Sequence, residues 1–273
     1  MIGIQISSIK ELDNLTKTVD ILQIEAFQLF LAFPYDWTQK NLFHLQSVFA
    51  TLKKYNGVKK IFIHAPAQQH LDGIVRKIRM QRWKKLREKM ELCSLLGVDG
   101  YIVHLQFPLT LPLDMLIAEG DQLFYDFLSP IPLILENTVL PGRFGNKLSS
   151  MEQFLLHLDP IIKTEICLDT AHLFVSGYHF EDKESANQLK NKFPQLFQKT
   201  TLIHVNDSKT PFNSNQDWHE HLGKGYLGLG SLGAFLSLFD KNRSFILETP
   251  TLNFDDFIVN VAILKGLISG NSK

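Results

Sequence analysis

Eight short apolar runs, each followed by a stretch long enough for a helix, constrain this chain more than any other feature. They are Ile2–Ser7, Ala26–Leu31, Lys60–Ala65, Gly100–Leu105, Pro132–Asn137, Glu165–Thr170, Thr201–Asp207 and Ser244–Thr249. Their near-continuous apolarity, in place of strict alternation, suits parallel strands buried on both faces. Ser8 is placed to cap a first helix carrying Ile9, Leu12, Leu15, Val19 and Leu22 at helical spacing. Further helices are predicted from Thr38 to Tyr55, Leu71 to Leu96, Leu113 to Leu128, Ser149 to Leu158, Glu181 to Phe193, Ser231 to Phe239 and Phe254 to Leu267. Asn56-Gly57, Gly97 and Pro194 supply stops. The alternation predicts an α/β fold, a (β/α)8 barrel, as a single domain over residues 1–273. An open doubly wound sheet is the alternative, and its nucleotide-binding form is disfavoured because no GxGxxG follows the first run.

Composition narrows the function classes. With 28 Lys and Arg against 28 Asp and Glu, the formal net charge is zero, so no global field draws in nucleic acid, although a local basic cleft is compatible. Cys93 and Cys167 are the only cysteines and lie in apolar runs without CxxC spacing, which argues against a disulfide framework or thiolate metal site and fits a reducing cytosol. The amino terminus lacks the pattern of a secretory signal, and no run reaches the ~18 apolar residues of a membrane span. A soluble, cytoplasmic, monomeric protein without a membrane partner is expected.

In a barrel of this kind the reactive groups sit at the carboxyl ends of the strands. Six successive strand ends carry His64, His104, Glu136, Asp169, His204 and Glu248; His172 follows Asp169 by three residues, and a polar loop adds Asp217 and His219. A lone His at a strand end is more often a hydrogen-bonding residue than a ligand. Convergence of six such groups on one rim is costly unless cations offset it. Asp, Glu and His together suit divalent metals, zinc foremost. Three zinc ions (+6) against four carboxylates (−4) would leave about +2, a charge that attracts a phosphodiester, and such a cluster can activate water and polarise phosphoryl oxygens.

LENT at 135–138, CLDTAHLFVSGY at 167–178, HVNDSK at 204–209, the D-x-H at 217–219 with HLGKGYLG after it, and LETP at 247–250 resemble the endonuclease IV family of apurinic/apyrimidinic endonucleases. The resemblance spans nearly the whole chain. It implies a xylose-isomerase-like TIM barrel holding three Zn2+ ions, with Mn2+ an alternative at one position. By the family pattern His64, His104 and Glu136 would hold one ion. Glu136 would bridge to a second held by Asp169, His204 and Glu248, while His172, Asp217 and His219 would hold the third. Glu136, Asp169 and Glu248 would be the catalytic carboxylates. The implied reaction is hydrolysis of the phosphodiester 5′ to an abasic site in double-stranded DNA, leaving a 3′-hydroxyl and a 5′-deoxyribose phosphate, as in base excision repair. Asn137, Asn206, Asp207 and Lys209 match motif positions behind the ions or beside the phosphate.

The chain also departs from the family. Tyr35 stands where members carry an Arg after the second strand, and Ala67 and Gln68 replace a Tyr-Leu pair after the third, so the wedge that enters the duplex is absent or built differently. Trp218 replaces the Arg inside the D-x-H motif. Tyr35, Phe33, Trp37, Phe107, Phe144 and Trp218 are aromatics on expected rim loops, able either to stack on bases or to pack the loops onto the barrel. The basic run from Arg76 to Lys89 reads as a solvated outer helix face, with phosphate contact as the alternative. Competing functions are a metal-dependent sugar isomerase or epimerase on the same barrel, a phosphodiesterase for another nucleic acid, and a metal-stabilised binding protein. The third donor group has no evident task in a two-metal isomerase.

Overall fold

All eight apolar runs become parallel strands of one closed barrel in the computed structural model, which describes residues 1–7, 15–31, 38–54, 57–66, 75–127, 129–250 and 253–270. In chain order the elements are β1 (Ile2–Ile6), α1 (Leu15–Leu22), β2 (Ala26–Phe30), α2 (Gln39–Lys54), β3 (Lys60–His64), α3 (Arg76–Leu95), β4 (Gly100–Val103), α4 (Leu113–Phe124), β5 (Leu133–Glu136), α5 (Leu148–Leu158) and β6 (Thr164–Asp169). There follow α6 (Thr170–Val175), α7 (Lys183–Lys192), α8 (Pro194–Lys199), β7 (Thr200–His204), β8 (Asp207–Ser208), β9 (His219–Glu220), α9 (Gly228–Leu236), β10 (Ser244–Leu247) and α10 (Phe254–Ser269). The barrel runs β1 to β7 in order, then β10, which closes it against β1; β8 and β9 form a separate antiparallel ribbon.

Side-chain alternation along the strands makes two apolar regions. Outward residues such as Phe27, Ile63, Tyr101, Leu135, Leu168 and Ile203 join the large core shared with the helices. Inward residues Ala26, Phe62, Ile102, Ile134, Cys167, Leu202 and Ile246 form a plug inside the barrel. A strand repeats every two residues, so the next inward position on each of these strands is Gln28, His64, His104, Glu136, Asp169, His204 or Glu248. A polar layer therefore sits directly above a dry one. On β1 the equivalent pair is Gly3 and Gln5. Gly3 has to be glycine, because a Cβ there would lie 2.3 Å from the Ala26 carbonyl oxygen and 2.5 Å from Ile246 Cδ1.

Several local expectations change. The seventh run ends as a barrel strand at His204, and Asp207 and Ser208 leave the barrel to pair with β9. Pro194 does end α7, but it also opens α8 as its first residue, where its missing N–H costs nothing. The expected helix starts at Ser8 and Leu71 and the ends at Tyr55 and Leu128 lie outside the described residues. The basic run on α3 is not a uniformly solvated face. Arg79 is buried, and its Nε and Nη2 donate to the two oxygens of Glu119 on α4 at 2.9 and 2.7 Å. Lys89 is buried as well, and burial first, then the neighbouring Lys85 charge, push its ammonium down to about 8. No helix among the described residues is long and apolar enough to cross a membrane.

Candidate metal centre

Glu136 occupies the middle of the polar layer. It ends β5, is 1% exposed, and splits its two oxygens between opposite sides. Oε2 lies 2.8 Å from Nε2 of His64 and 2.6 Å from Nε2 of His104. Oε1 lies 2.9 Å from Nδ1 of His204 and 3.4 Å from Nδ1 of His172. His64 is oriented by its other ring nitrogen, Nδ1, which meets the Ala65 carbonyl oxygen at 2.6 Å. Burial pushes the Glu136 carboxyl up, but the charges of His104 and His204 outweigh it and hold the group well below the usual carboxylate range.

Asp169 is both the last residue of β6 and the N-cap of α6. Its Oδ1 accepts from the backbone N–H of His172 at 2.7 Å, satisfying a helix terminus and fixing where His172 emerges. Its Oδ2 accepts from Nδ2 of Asn206 at 2.7 Å and faces Nε2 of His219 at 3.8 Å and Nδ1 of His204 at 4.0 Å. Glu248 follows β10, and its Oε2 is 3.2 Å from Nδ1 of His204.

The third group assembles from distant segments. Asp217 places Oδ2 3.2 Å from Nε2 of His172 and Oδ1 3.2 Å from Nε2 of His219. His219 is held by the β8–β9 pairing with Ser208, and its Nδ1 lies 3.2 Å from the Glu248 carbonyl oxygen. Buried Asp207 anchors the ribbon by accepting backbone N–H bonds from Ser208, Gly223, Leu227 and Gly228. Gly225 fits this wrap because a Cβ would stand 2.3 Å from the Ser208 carbonyl oxygen and 2.5 Å from Oδ1 of Asp207.

Charge in this layer is unbalanced without cations. Burial pushes the imidazoles of His204 and His219 down, but Glu248 and Glu136 for the first, and Asp169 and Asp217 for the second, raise both to about 9. Asp169 and Asp217 likewise overcome burial to hold His172 well above the ordinary imidazole value. Asp217 moves the opposite way, its burial outweighed by His172, to a value far below that of an ordinary aspartate. Protons on these rings act as the positive charge that the carboxylates require.

The donors fit divalent ions better than they fit protons. Nε2 of His104 and Nε2 of His219 are buried and make no hydrogen bond, although each lies within 4 Å of a carboxylate oxygen. Buried polar atoms are rarely left so. Among the described residues, five overlapping groups bring their donor atoms within 4.8 Å of one another, including His64, His104 and Glu136; Glu136, Asp169, His204 and Glu248; and Asp169, His172 and His219; the other two join His204 to His64 and Glu248, and to Glu136 and Cys167. Glu136 links the first group to the second and Asp169 the second to the third.

The residues expected to meet substrate are placed less uniformly. Asn137 and Asn206 are buried at 2% and 0% and turn inwards. Oδ1 of Asn137 accepts from the Asp169 N–H at 2.7 Å, and its carbonyl oxygen lies 2.9 Å from Nδ1 of His172. Oδ1 of Asn206 accepts from the Glu248 N–H at 3.1 Å. Lys209 and Trp218 lie opposite each other at the open end of the ribbon, the Lys209 N–H donating to the Trp218 carbonyl oxygen at 2.8 Å; Lys209 is exposed and Trp218 is 61% exposed. Phe107 and Phe144, expected as rim aromatics, are core: their rings stack at 4.5 Å and both pack on Phe154. Tyr35, Phe33, Trp37, Ala67 and Gln68 lie outside the described residues. Sequence reading overlooked Gln5 and Gln28, which complete the polar layer. The period of two from Gly3 and Ala26 was the available signal.

The fold and these motifs have known counterparts. Residues 20–260 match the family described as xylose isomerase-like TIM barrel. A protein of Sulfurihydrogenibium sp. named "Probable endonuclease 4" is 31% identical over 278 residues, covering 98% of this chain and 99% of that protein. "Apurinic-apyrimidinic endonuclease 1" of Saccharomyces cerevisiae is 25% identical, covering 89% of this chain and 70% of that one. The crystal structure of endonuclease IV from Thermus thermophilus has a similar fold, with a TM-score of 0.74 at 20% identity over 98% of this chain and 99% of that one.

Proposed function

This chain belongs to the endonuclease IV family of xylose isomerase-like TIM barrels, and we propose that it is a zinc-dependent endonuclease that hydrolyses the phosphodiester 5′ to abasic sites in double-stranded DNA. The observation that carries the reading is the continuity of the donors: Glu136 lies with His64 and His104 on one side and with Asp169, His204 and Glu248 on the other, Asp169 also lies with His172 and His219, and Asp217 reaches those two rings at 3.2 Å. His64 and His104 with Glu136, then Asp169, His204 and Glu248 with the same Glu136, and finally His172, Asp217 and His219 would hold three ions. Zinc suits the mixture of imidazole and carboxylate. Bound ions supply Lewis-acid polarisation of the phosphodiester and a nucleophile near neutral pH.

The chain's own residues do the rest. Asn137, Asn206 and the cap made by Asp169 fix the donors from behind, so the layer keeps its geometry while substrate comes and goes. The apolar plug beneath excludes water from below, which strengthens every charge interaction above it. Access is from the side where His104, Asp217 and His219 keep 14%, 41% and 18% of their side chains exposed. Three ions against four carboxylates leave a surplus of about two positive charges, and exposed Lys209 adds another at the rim. Trp218 offers a stacking face for an exposed base. Buried, free Cys93 and Cys167 suit a reducing compartment such as the cytoplasm.

The same barrel serves sugar isomerases, so fold alone does not choose between them. His172, Asp217 and His219 favour the nuclease reading, because a two-metal isomerase gives them no task. Glu136→Gln tests the mechanism. It keeps the side chain's shape while removing the bridging charge, so the variant should fold yet lose more than the roughly 10–100-fold that follows loss of an outer hydrogen-bond partner. Incision at the unaltered rate by that variant would sink the proposal.

A further inference from the structure

Each of the eight barrel strands presents one polar side chain to the layer above the plug, and six of them are the donors described above. The other two, Gln5 and Gln28, cannot ionise. Gln28 is fully buried. Its Nε2 donates to Oε1 of Gln5 at 2.6 Å and to Oε1 of Glu248 at 2.6 Å. Its Oε1 lies 2.7 Å from Nε2 of His204. Both amide hydrogens and the carbonyl oxygen are therefore engaged.

Chemistry fixes which way this amide points. An ionised carboxylate only accepts hydrogen bonds, so the Gln28 atom facing Glu248 is the NH2 group, and the carbonyl oxygen faces His204. A carbonyl oxygen also only accepts, so Nε2 of His204 carries a hydrogen. In the neutral ring Nδ1 is then the nitrogen with the free lone pair. That atom faces Oε1 of Glu136 at 2.9 Å, Oε2 of Glu248 at 3.2 Å and Oδ2 of Asp169 at 4.0 Å. A lone pair and three carboxylates turned towards one another describe a cation site. The same amide restrains Oε1 of Glu248 and leaves Oε2 directed at His204.

We propose that Gln28 is a positioning residue that sets the His204 tautomer and the Glu248 orientation for the middle donor group, with Gln5 holding the amide in place. The inference rests on the metal reading given above. It predicts an effect confined to one ion of the three, because Gln28 touches neither the His64–His104 side nor the His172–Asp217–His219 group in its hydrogen bonds.

The test is zinc withdrawal from the intact holoprotein by graded chelator, comparing the native chain, Gln28→Met and Gln5→Leu. Gln28→Met preserves length and volume without hydrogen bonds. One zinc should leave at about 10- to 100-fold lower chelator strength, the other two unchanged. On a duplex with an abasic analogue, kcat should fall with KM little altered, and added zinc should restore it. Gln5→Leu should weaken the same zinc to a smaller degree, and it carries the test if Gln28→Met does not fold. Nitrogen-15 spectra of the histidine rings should show a protected hydrogen on Nε2 of His204 in the native chain. Unchanged retention of all three zincs in Gln28→Met, uniform weakening of all three, or an Nδ1–H tautomer in the native chain would each overturn the proposal. A native chain that binds no zinc would defeat the metal reading instead, and ring spectra recorded well above pH 9, where the metal-free His204 ring is neutral, would still decide the tautomer.

Discussion

Asp217 lies 45 residues after His172 in sequence, yet its Oδ2 stands 3.2 Å from that ring's Nε2. The contact closes the third donor group across the mouth of the barrel. Asp217→Asn keeps the shape and removes the charge. It should lower zinc content from three ions to two, with the fold intact and incision reduced by at least ~10-fold. Elemental analysis of the purified variant checks this, and three tightly held ions would count against the assignment.

Zinc uptake should expel protons. Metal ligands bind as neutral imidazoles, whereas without metal His204 and His219 titrate at about 9 and His172 is also raised well above its ordinary value. At pH 7 these rings are protonated in the metal-free chain, so zinc must displace their protons, and apparent affinity rises as pH climbs from 7 towards 9. The same raised values mean that these rings stabilise the metal-free fold fully below about 6.5, an advantage lost as pH rises through about 9. Calorimetry in two buffers of different ionisation enthalpy measures the released protons, and buffer-independent heats would contradict this.

Arg79 and Glu119 form a buried two-point ion pair between α3 and α4, away from the rim. Arg79→Met leaves the buried Glu119 carboxylate with only the exposed Arg76, 3.8 Å away, and should cost up to about 3–5 kcal/mol, whereas the double change Arg79→Met with Glu119→Met should recover most of that. Denaturant unfolding reads both. Incision per folded molecule should be unchanged.

Trp218, 61% exposed beside Asp217 and His219, should serve substrate rather than stability. Trp218→Ala should raise KM for abasic duplex by about 5- to 150-fold, the equivalent of roughly 1–3 kcal/mol for a stacked base, and leave the melting temperature within a degree or two. An unaltered KM would assign the ring no part in binding.

Much of this architecture is legible in the sequence because its signals are local. Each barrel strand is an apolar run ending near a polar residue, and the motif from Cys167 to Tyr178 carries its own helix cap in Asp169. What escaped reading depends on contacts between distant segments. Nothing near Arg79 announces Glu119, forty residues on, so a basic run looked solvated. Phe107 and Phe144 looked like rim aromatics because their stacking on one another joins two separate loops. Gln28 carries no charge and no usual metal donor, so nothing in its own run marks it out. Its meaning comes from Glu248 and His204, which only the closed barrel brings to it.

The most direct test is incision of a duplex bearing a single tetrahydrofuran abasic analogue, with and without prior chelation, beside the undamaged duplex. Chelator-sensitive cleavage 5′ to the analogue, with the undamaged duplex left intact, is the expected result. No cleavage by protein confirmed to hold three metal ions, or equal cleavage of both duplexes, would contradict an abasic-site endonuclease.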